Sequence, residues 1–562
     1  MMSASVTERL MSAERRASVE KAVNLAPRVP EHFSRDRQIA LFIFLSSLGY
    51  LLLFRRYTTM EPDEGIVLQG AQRILRGQVV YRDFFSYFTP GSYYWLAFLF
   101  KIFGSSFTLA RTVLAVIGAG FSVVSYMLMR RVCSTEVSFF VASLVTLTTL
   151  PFRFLVLHNW DSTLCAGLAV YFAVRMIELP RVSWAVATSS FASLCFLFEQ
   201  SKGAGLCLGL GTGLLLIGSK DPRLRNRTLM AAMATGLVWP VILTVIYFAA
   251  RHSLALMVAD WFWPLQHYST ANHVPYGYQN WSDGTREELF RSGPWVARLI
   301  AAVAVSPTFL VPVLPLLALG IGAYWTSRLW QGPTADPKCC YYVLTCATLA
   351  GLLLSIVIGR ADILHFMYLL PLFCLPLAWV MDGRDIRRQI FQRLRPLLIA
   401  YVAIAGLLFA APLLQRTWSA HAAVATRRGG VSTPAPDTVI DYVQAHVPAG
   451  GSIIVYPYLP LYYYLTATFN PTRYEYFQPG MNTAEQADEI LANLRYNRTS
   501  AVLFESTFVE KIPRSWPGTP MAAVVADPVA DYIVREYHTC KILSSPSNWT
   551  FLFMVRKSLA CP

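Results

Sequence analysis

LMAAMATGLVWPVILTVIYFA, residues 229–249, runs for 21 positions without an Asp, Glu, Lys or Arg. About 20 predominantly apolar residues in a helix cross a hydrocarbon core of about 30 Å, so this stretch reads as a membrane span. Comparable stretches lie near Gln38 to Phe54, Thr108 to Met129, Val137 to Phe154, Ser162 to Ile177, Ser183 to Phe198 and Gly203 to Ile217 on one side of it. Beyond it come Trp295 to Tyr324, Tyr341 to Ile358, Leu364 to Met381 and Pro396 to Leu414. The expectation is an α-helical polytopic protein with about eleven spans. The whole chain agrees: 55% of its 562 residues are hydrophobic, 14% are charged and the mean hydropathy is +0.42, which excludes an ordinary soluble domain.

Basic residues set the orientation, because Lys and Arg collect on the cytoplasmic side. The tail carrying Arg9, Arg15, Arg16, Lys21, Arg28, Arg35 and Arg37, the pair Arg130 and Arg131, the Lys220 to Arg227 loop and Arg384 to Arg395 all fall on one side of the count. The segments Arg55 to Phe107, His158 to Asp161, Arg251 to Pro294, Gly359 to Asp362 and the tail from Gln415 then face outward, with the amino terminus cytoplasmic. The net charge of +15 is explained by topology, and no basic stripe interleaved with exposed aromatics points to nucleic acid. The first apolar segment has no small-residue cleavage pattern after it and reads as an uncleaved helix.

Three regions follow: a polar cytoplasmic tail over 1–37, a membrane domain over 38–414, and an extracytoplasmic α/β domain over 415–562. Within the membrane domain, the 55–107 loop is too long for a turn and is expected to carry two surface helices, Asp63 to Leu75 and Ser92 to Phe103. After Leu414 the pattern changes to helices at Asp437 to Ala445 and Thr483 to Leu494, with strands at Ser452 to Tyr456, Ala501 to Phe504 and Thr550 to Val555. Among ten cysteines, Cys540 and Cys561 are the plausible disulfide partners, while Cys165, Cys195, Cys207, Cys346 and Cys374 sit in apolar runs as small hydrophobes.

Chemistry-bearing residues gather at the outward boundary. Glu61-Pro62-Asp63-Glu64 follows the first span, and Asp161 lies between the third and fourth. Proline with acids beside it is also an ordinary helix start, and Asp161 also suits a cap. Cations accompany the acids: Lys202, and Arg360 ahead of Asp362 and His365. Such a set can hold an anionic leaving group beside carboxylates that take a proton or bind a metal. Snorkelling is the alternative for any basic residue at a helix end, and it is the reading for Arg82 and Arg111. The Trp261-Phe262-Trp263 run and Trp281 read as a membrane aromatic belt, the alternative being rings that line a sugar site.

The ordered set resembles the GT-C superfamily of polyprenyl-phosphate-sugar-dependent glycosyltransferases. It is similar to the bacterial relatives of dolichyl-phosphate-mannose protein mannosyltransferases and to the aminoarabinose transferases that modify lipid A. Pro62-Asp63-Glu64-Gly65 matches the first-loop acidic motif, and Gly77 to Phe84 followed by Pro90 to Trp95 matches the loop around the second surface helix. Asp161 matches the second-loop acid, Lys202-Gly203 a Lys-Gly pair, and Arg360 through His365 to Pro371 the entry to a late helix. The resemblance covers about Gln38 to Met381.

It implies an inverting sugar transferase in the bacterial cytoplasmic membrane. Asp63 would be the general base or a metal ligand, with Glu64 and Asp161 supporting it. Lys202, Arg360 and His365 would hold the donor phosphate, and Tyr81, Arg82, Asp83 and Tyr93 would form a substrate loop. A divalent cation (Mg, Mn or Zn) held by Asp63 and Asp161 is the one cofactor implied. The partners implied are a polyprenyl-phosphate-linked sugar, a lipid, glycan or protein acceptor, and membrane lipids. The competing readings are a transporter or lipid flippase, which predicts ionisable residues near mid-membrane, and a silent envelope-assembly protein of the same fold.

Overall fold

The computed structural model describes residues 33–332, 336–384, 389–419, 422–478, 481–496, 499–546 and 548–562. The tail expected over 1–37 lies outside the described residues as far as residue 32, as do 385–388 of the basic loop after Asp382. The chain divides into two units, Met1–Phe42 and Ile43–Pro562. In the first, the described residues are helical, within a helix over Phe33–Leu52.

Six described helices are long and apolar enough to cross a membrane: Phe107–Met129, Thr135–Phe152, Gln200–Gly218, Arg227–Ala250, Pro337–Gly359 and Ile390–Trp418. The pair Trp295–Leu310 and Val313–Gln331, bent by 49°, makes a seventh if it is one span. By this measure the described residues do not reach eleven spans, and local chemistry explains three of the differences. His158–Glu178 contains Asn159, Asp161 and Arg175, which lower its hydropathy. Val182–Phe198 has 17 residues, about 25 Å of helix. Leu364 to Met381 is broken into Ile363–Tyr368, Leu370–Phe373 and Leu375–Asp382, because Pro371 and Pro376 remove backbone donors and each starts a new piece. Where helices Gln200–Gly218 and Pro337–Gly359 meet, their backbones touch. A Cβ on Gly205 would lie 2.3 Å from the Gly351 carbonyl oxygen, so only glycine allows that approach.

The 55–107 segment holds helices Pro62–Leu75 and Gly91–Phe103. Pro62 fits the first turn of the former because its missing N–H would be unpaired there anyway, and Asp63 and Glu64 oppose the helix dipole. This helix is not on the surface as expected. Its residues from Glu64 to Ala71 are buried, and a Cβ on Gly65 would lie 2.0 Å from the backbone nitrogen of Leu461. The helix is therefore sandwiched beneath the carboxy-terminal segment.

That segment carries a hairpin, Ala422–Thr426 with Gly429–Thr433, and a four-stranded sheet. The sheet order is Ile454–Tyr456, Ala501–Glu505, Thr550–Arg556, Tyr537–Ser544. Its first pair is parallel, with Ile454 opposite Val502, and the others are antiparallel, with Val502 opposite Met554. Helices Thr438–His446 and Ala484–Tyr496 accompany it. A disulfide joins Cys540 to Cys561. Two apolar clusters fuse this segment to the 55–107 loop. Phe85 packs with Ile454, Tyr456 and Tyr474, while Ile66, Phe84 and Tyr93 pack with Tyr458, Tyr476 and Phe508. Buried Arg73 bridges the two by pairing with Glu475 at 2.5 Å and donating to the Thr472 carbonyl at 3.0 Å.

Candidate active site around Asp63

Asp63 sits in the first turn of helix Pro62–Leu75, with its side chain 39% exposed. Its Oδ2 accepts from Arg153 Nη2 at 2.5 Å and its Oδ1 from the Tyr458 hydroxyl at 2.5 Å. Arg153 ends helix Thr135–Phe152 and is 15% exposed, and its Nε is buried without a hydrogen-bond partner. Burial works against its charge, yet Tyr368, Asp63, Glu61 and Asp362 outweigh that and hold its pKa above the ordinary value. Glu61 is shifted up, first by burial and then by Asp63 and Glu64, against the pull of Arg153. One guanidinium thus stands among several acids, with hydrogen-bonding capacity left over.

Arg360, Asp362 and His365 form a tight unit in the same electrostatic neighbourhood. Arg360 Nε donates to Asp362 Oδ2 at 2.5 Å, its Nη1 to Asn272 Oδ1 at 3.0 Å, and its Nη2 to the Ser515 carbonyl. His365 Nδ1 lies 2.6 Å from Asp362 Oδ1 and its side chain is 31% exposed. Burial alone would raise the Asp362 pKa, but His365 and Arg360 hold it well below the usual carboxylate range.

The other expected site residues are engaged by partners of their own. Glu64 is fully buried, and its carboxylate takes Arg111 Nε at 2.7 Å, Arg111 Nη2 at 2.5 Å and the Val156 amide at 3.0 Å. Arg111, read as snorkelling, is instead interior at 1% exposure and flanked by the rings of Phe107 and Phe154. Asp161 turns to Ser92, whose hydroxyl donates to Oδ2 at 2.5 Å. Lys202 is buried and bound to Glu199 at 2.8 Å, the Asn159 carbonyl and Ser162 Oγ at 2.9 Å, and Thr163 Oγ1 at 3.1 Å. More acceptors surround it than an ammonium has protons, leaving no donor over for a phosphate.

The expected substrate loop is stapled to itself. Tyr81 and Tyr93 are core residues: Tyr81 donates to the Phe88 carbonyl and accepts from Trp261 Nε1 at 2.8 Å, and the Tyr93 hydroxyl is 3.0 Å from Ser86 Oγ. Arg82 pairs with Asp83 at 2.8 Å, and Asp83 caps the Val79 amide at 2.7 Å. Trp261 and Trp263 are likewise not a membrane belt. They pack in the clusters that join the loop to the carboxy-terminal segment, with Trp263 stacked on Tyr87 at 5.6 Å. Rings pack around the tyrosine that holds Asp63: Tyr476 lies 5.7 Å from Tyr458 and Trp516 lies 6.1 Å from it, and Phe88 stands over His158 at 4.2 Å.

The donor set does not favour a cation held between Asp63 and Asp161. Both Asp63 oxygens are engaged, one by a guanidinium, and Asp161 turns away to Ser92. Among the described residues, the three potential ligands that do converge are His538, Cys540 and Cys561, two of which form the disulfide. Sequence reading missed Arg153 and Tyr458. A basic residue at a helix end looks like snorkelling, and nothing in the sequence links Tyr458 to a residue 395 positions away.

No family model and no curated protein matches the sequence. Solved structures do. ArnT from Cupriavidus metallidurans bound to undecaprenyl phosphate is similar over 94% of this chain and 99% of that one, with 13% identity and a TM-score of 0.51. The Archaeoglobus fulgidus oligosaccharyltransferase, tethered to an acceptor peptide containing the NVT sequon, is similar over 93% of this chain and 74% of that one, with 10% identity and a TM-score of 0.50. At such identities the likeness is one of fold: a bundle of apolar helices carrying a small carboxy-terminal sheet domain, the GT-C fold shared by these two structures.

Proposed function

We propose that this protein is a GT-C glycosyltransferase that moves a sugar from a polyprenyl-phosphate donor to an acceptor at the outer face of a bacterial cytoplasmic membrane. The observation that carries the reading is the half-exposed Asp63 carboxylate paired with Arg153, whose Nε has no partner. The undecaprenyl phosphate in the ArnT structure and the acceptor peptide in the oligosaccharyltransferase structure support donor and acceptor classes of this kind. The Cys540–Cys561 disulfide supports an oxidising, extracytoplasmic setting for residues 415–562.

In this reading the donor phosphate draws Arg153 away from Asp63, since a guanidinium pairs as well with phosphate as with carboxylate. Asp63 Oδ2 is then free to take the proton of the acceptor hydroxyl as the hydroxyl oxygen attacks the anomeric carbon. The bond from that carbon to the phosphate oxygen breaks, and the negative charge that leaves is met by Arg153. A single displacement inverts the anomeric centre. Arg360 and His365 border the site, with Asp362 fixing both. A positioned carboxylate contributes about 10²- to 10⁴-fold in rate by accepting the proton.

The test is Asp63→Asn in membranes of a strain lacking the native copy. Envelope glycans and glycolipids are compared by mass spectrometry, and purified protein is assayed with a panel of undecaprenyl-phosphate hexoses and pentoses. Folded but inactive protein is the expected result. Wild-type turnover would remove Asp63 from the reaction.

A further inference from the structure

We infer that Tyr458 is a positioning residue for Asp63, so that the carboxy-terminal segment is part of the catalytic apparatus and not merely a cap on the bundle. This rests on the proposed function above. Tyr458 lies between the strand Ile454–Tyr456 and the helix Leu461–Leu465, 395 residues from the acid it contacts, and its hydroxyl donates to Oδ1 at 2.5 Å. Its ring is 6% exposed and wedged among Tyr476, Phe508 and Trp516, with centroids 5.7, 5.9 and 6.1 Å away. The backbone beneath is pinned as well, by the Phe477 amide donating to the Pro457 carbonyl at 2.8 Å. A hydroxyl held this firmly fixes the direction of the carboxylate it binds.

The two partners of Asp63 differ in what they can do during a turnover. Arg153 carries a full charge and has hydrogen-bonding capacity to offer an arriving phosphate. Tyr458 is neutral and has one proton to donate, already directed at Oδ1. When Arg153 turns to the phosphate, Asp63 would be left free to rotate unless something else held it, and Tyr458 is the group in contact. Holding Oδ1 leaves Oδ2 as the proton-accepting oxygen and sets its direction. The close approach at Gly65, where helix Pro62–Leu75 meets the backbone of Leu461, keeps the two segments in register.

Tyr458→Phe tests this, assayed beside Asp63→Asn with the same undecaprenyl-phosphate sugar panel. Phenylalanine keeps the ring, so the packing survives. The expected result is a fall in kcat of about ten- to a hundredfold, the scale of one hydrogen bond to a charged group, with the donor KM unchanged. The acid limb of the rate profile should also move to higher pH, because a hydrogen bond donated to a carboxylate favours its ionised form. A variant with wild-type kcat and an unmoved acid limb, beside an inactive Asp63→Asn, overturns this inference alone. An active Asp63→Asn overturns the proposed function beneath it. Should the phenylalanine variant not fold, Tyr458→His, which retains a ring donor of different strength, carries the same readouts: a displaced acid limb supports the role and an unmoved one ends it.

Discussion

Arg153 Nη2 and Asp63 Oδ2 stand 2.5 Å apart, joining the end of one helix to the first turn of another. In the proposed reaction the guanidinium exchanges the Asp63 carboxylate for the donor phosphate. Arg153→Ala should therefore raise the donor KM and lower kcat/KM by about ten- to a hundredfold, the scale of one hydrogen bond to a charged group. Arg153→Lys, which keeps the charge but not the fork, should fall between. Initial rates against donor concentration check this, and an unchanged donor KM in Arg153→Ala would assign the phosphate to another cation.

The buried pair Glu64 and Arg111 should matter to stability and not to chemistry. Both Arg111 contacts to Glu64 are charge-assisted, and neither residue is more than 1% exposed. Arg111→Ala leaves an uncompensated buried carboxylate and should destabilise by about 3–5 kcal/mol. Glu64→Gln with Arg111→Met should recover much of that loss. Thermal unfolding in detergent reads the effect, and activity per folded molecule should stay near wild type. Loss of rate without loss of stability in Glu64→Gln would return Glu64 to the reaction.

The contrast between Glu64 and Asp63 shows how far the sequence could be read. Apolar runs disclosed the bundle, and the Pro-Asp-Glu start disclosed a helix, because both are local properties. The hairpin at Ala422–Thr433 and the strand Tyr537–Ser544 escaped notice, the latter because His538, Thr539 and Lys541 interrupt its apolar pattern. Which of two adjacent acids faces the site is set by what packs against the helix. Arg111 lies 47 positions from Glu64, and Arg153 lies 90 from Asp63. No local pattern encodes such pairings, and an arginine at a helix end looks the same whether it snorkels or is buried.

Asp260 supplies a pH dependence. It lies on helix Leu254–His267, 9% exposed, and its Oδ2 is unpartnered. Burial pushes its pKa up to about 7, against Arg473 and the Ser86 amide, which pull it down. A carboxyl with a higher pKa folded than unfolded binds its proton more tightly in the folded state. Its contribution to stability is whole below about pH 4, where the unfolded form is protonated too. That contribution is lost as pH rises through about 7. Asp260→Asn mimics the protonated form, so the variant should gain on wild type in unfolding temperature between pH 5 and 8, most at pH 8. Parallel curves would contradict the assignment.

The disulfide makes a prediction about labelling. Cys540 and Cys561 enclose a loop with a sequence separation of 21, and of the eight free cysteines all but Cys207 are buried. A membrane-impermeant maleimide applied to intact cells should leave Cys540 and Cys561 unlabelled until a reductant is added, and then label both. Cys540→Ser with Cys561→Ser should lower stability by about 3 kcal/mol, the scale expected for closing a loop of this length. Labelling before reduction would show that the two thiols are not paired in the cell.

Lys202 and Glu199 lie 2.8 Å apart where helix Val182–Phe198 gives way to helix Gln200–Gly218, and their neighbours decide what Lys202 can do. Every proton on its ammonium has an acceptor within the protein: Glu199, the Asn159 carbonyl, Ser162 or Thr163. Because three of those acceptors belong to the first turns of helix His158–Glu178, the lysine ties that helix to the junction. Binding a phosphate would require it to break these bonds, unlike Arg153, which has capacity in hand. Lys202→Met should therefore lower the unfolding temperature through the stranded Glu199 carboxylate, while the donor KM of the folded fraction stays near wild type. Glu199→Gln with Lys202→Met should regain part of the stability, because both charges are then gone. A rise in donor KM in Lys202→Met with an unchanged unfolding temperature would give the lysine back its place at the phosphate.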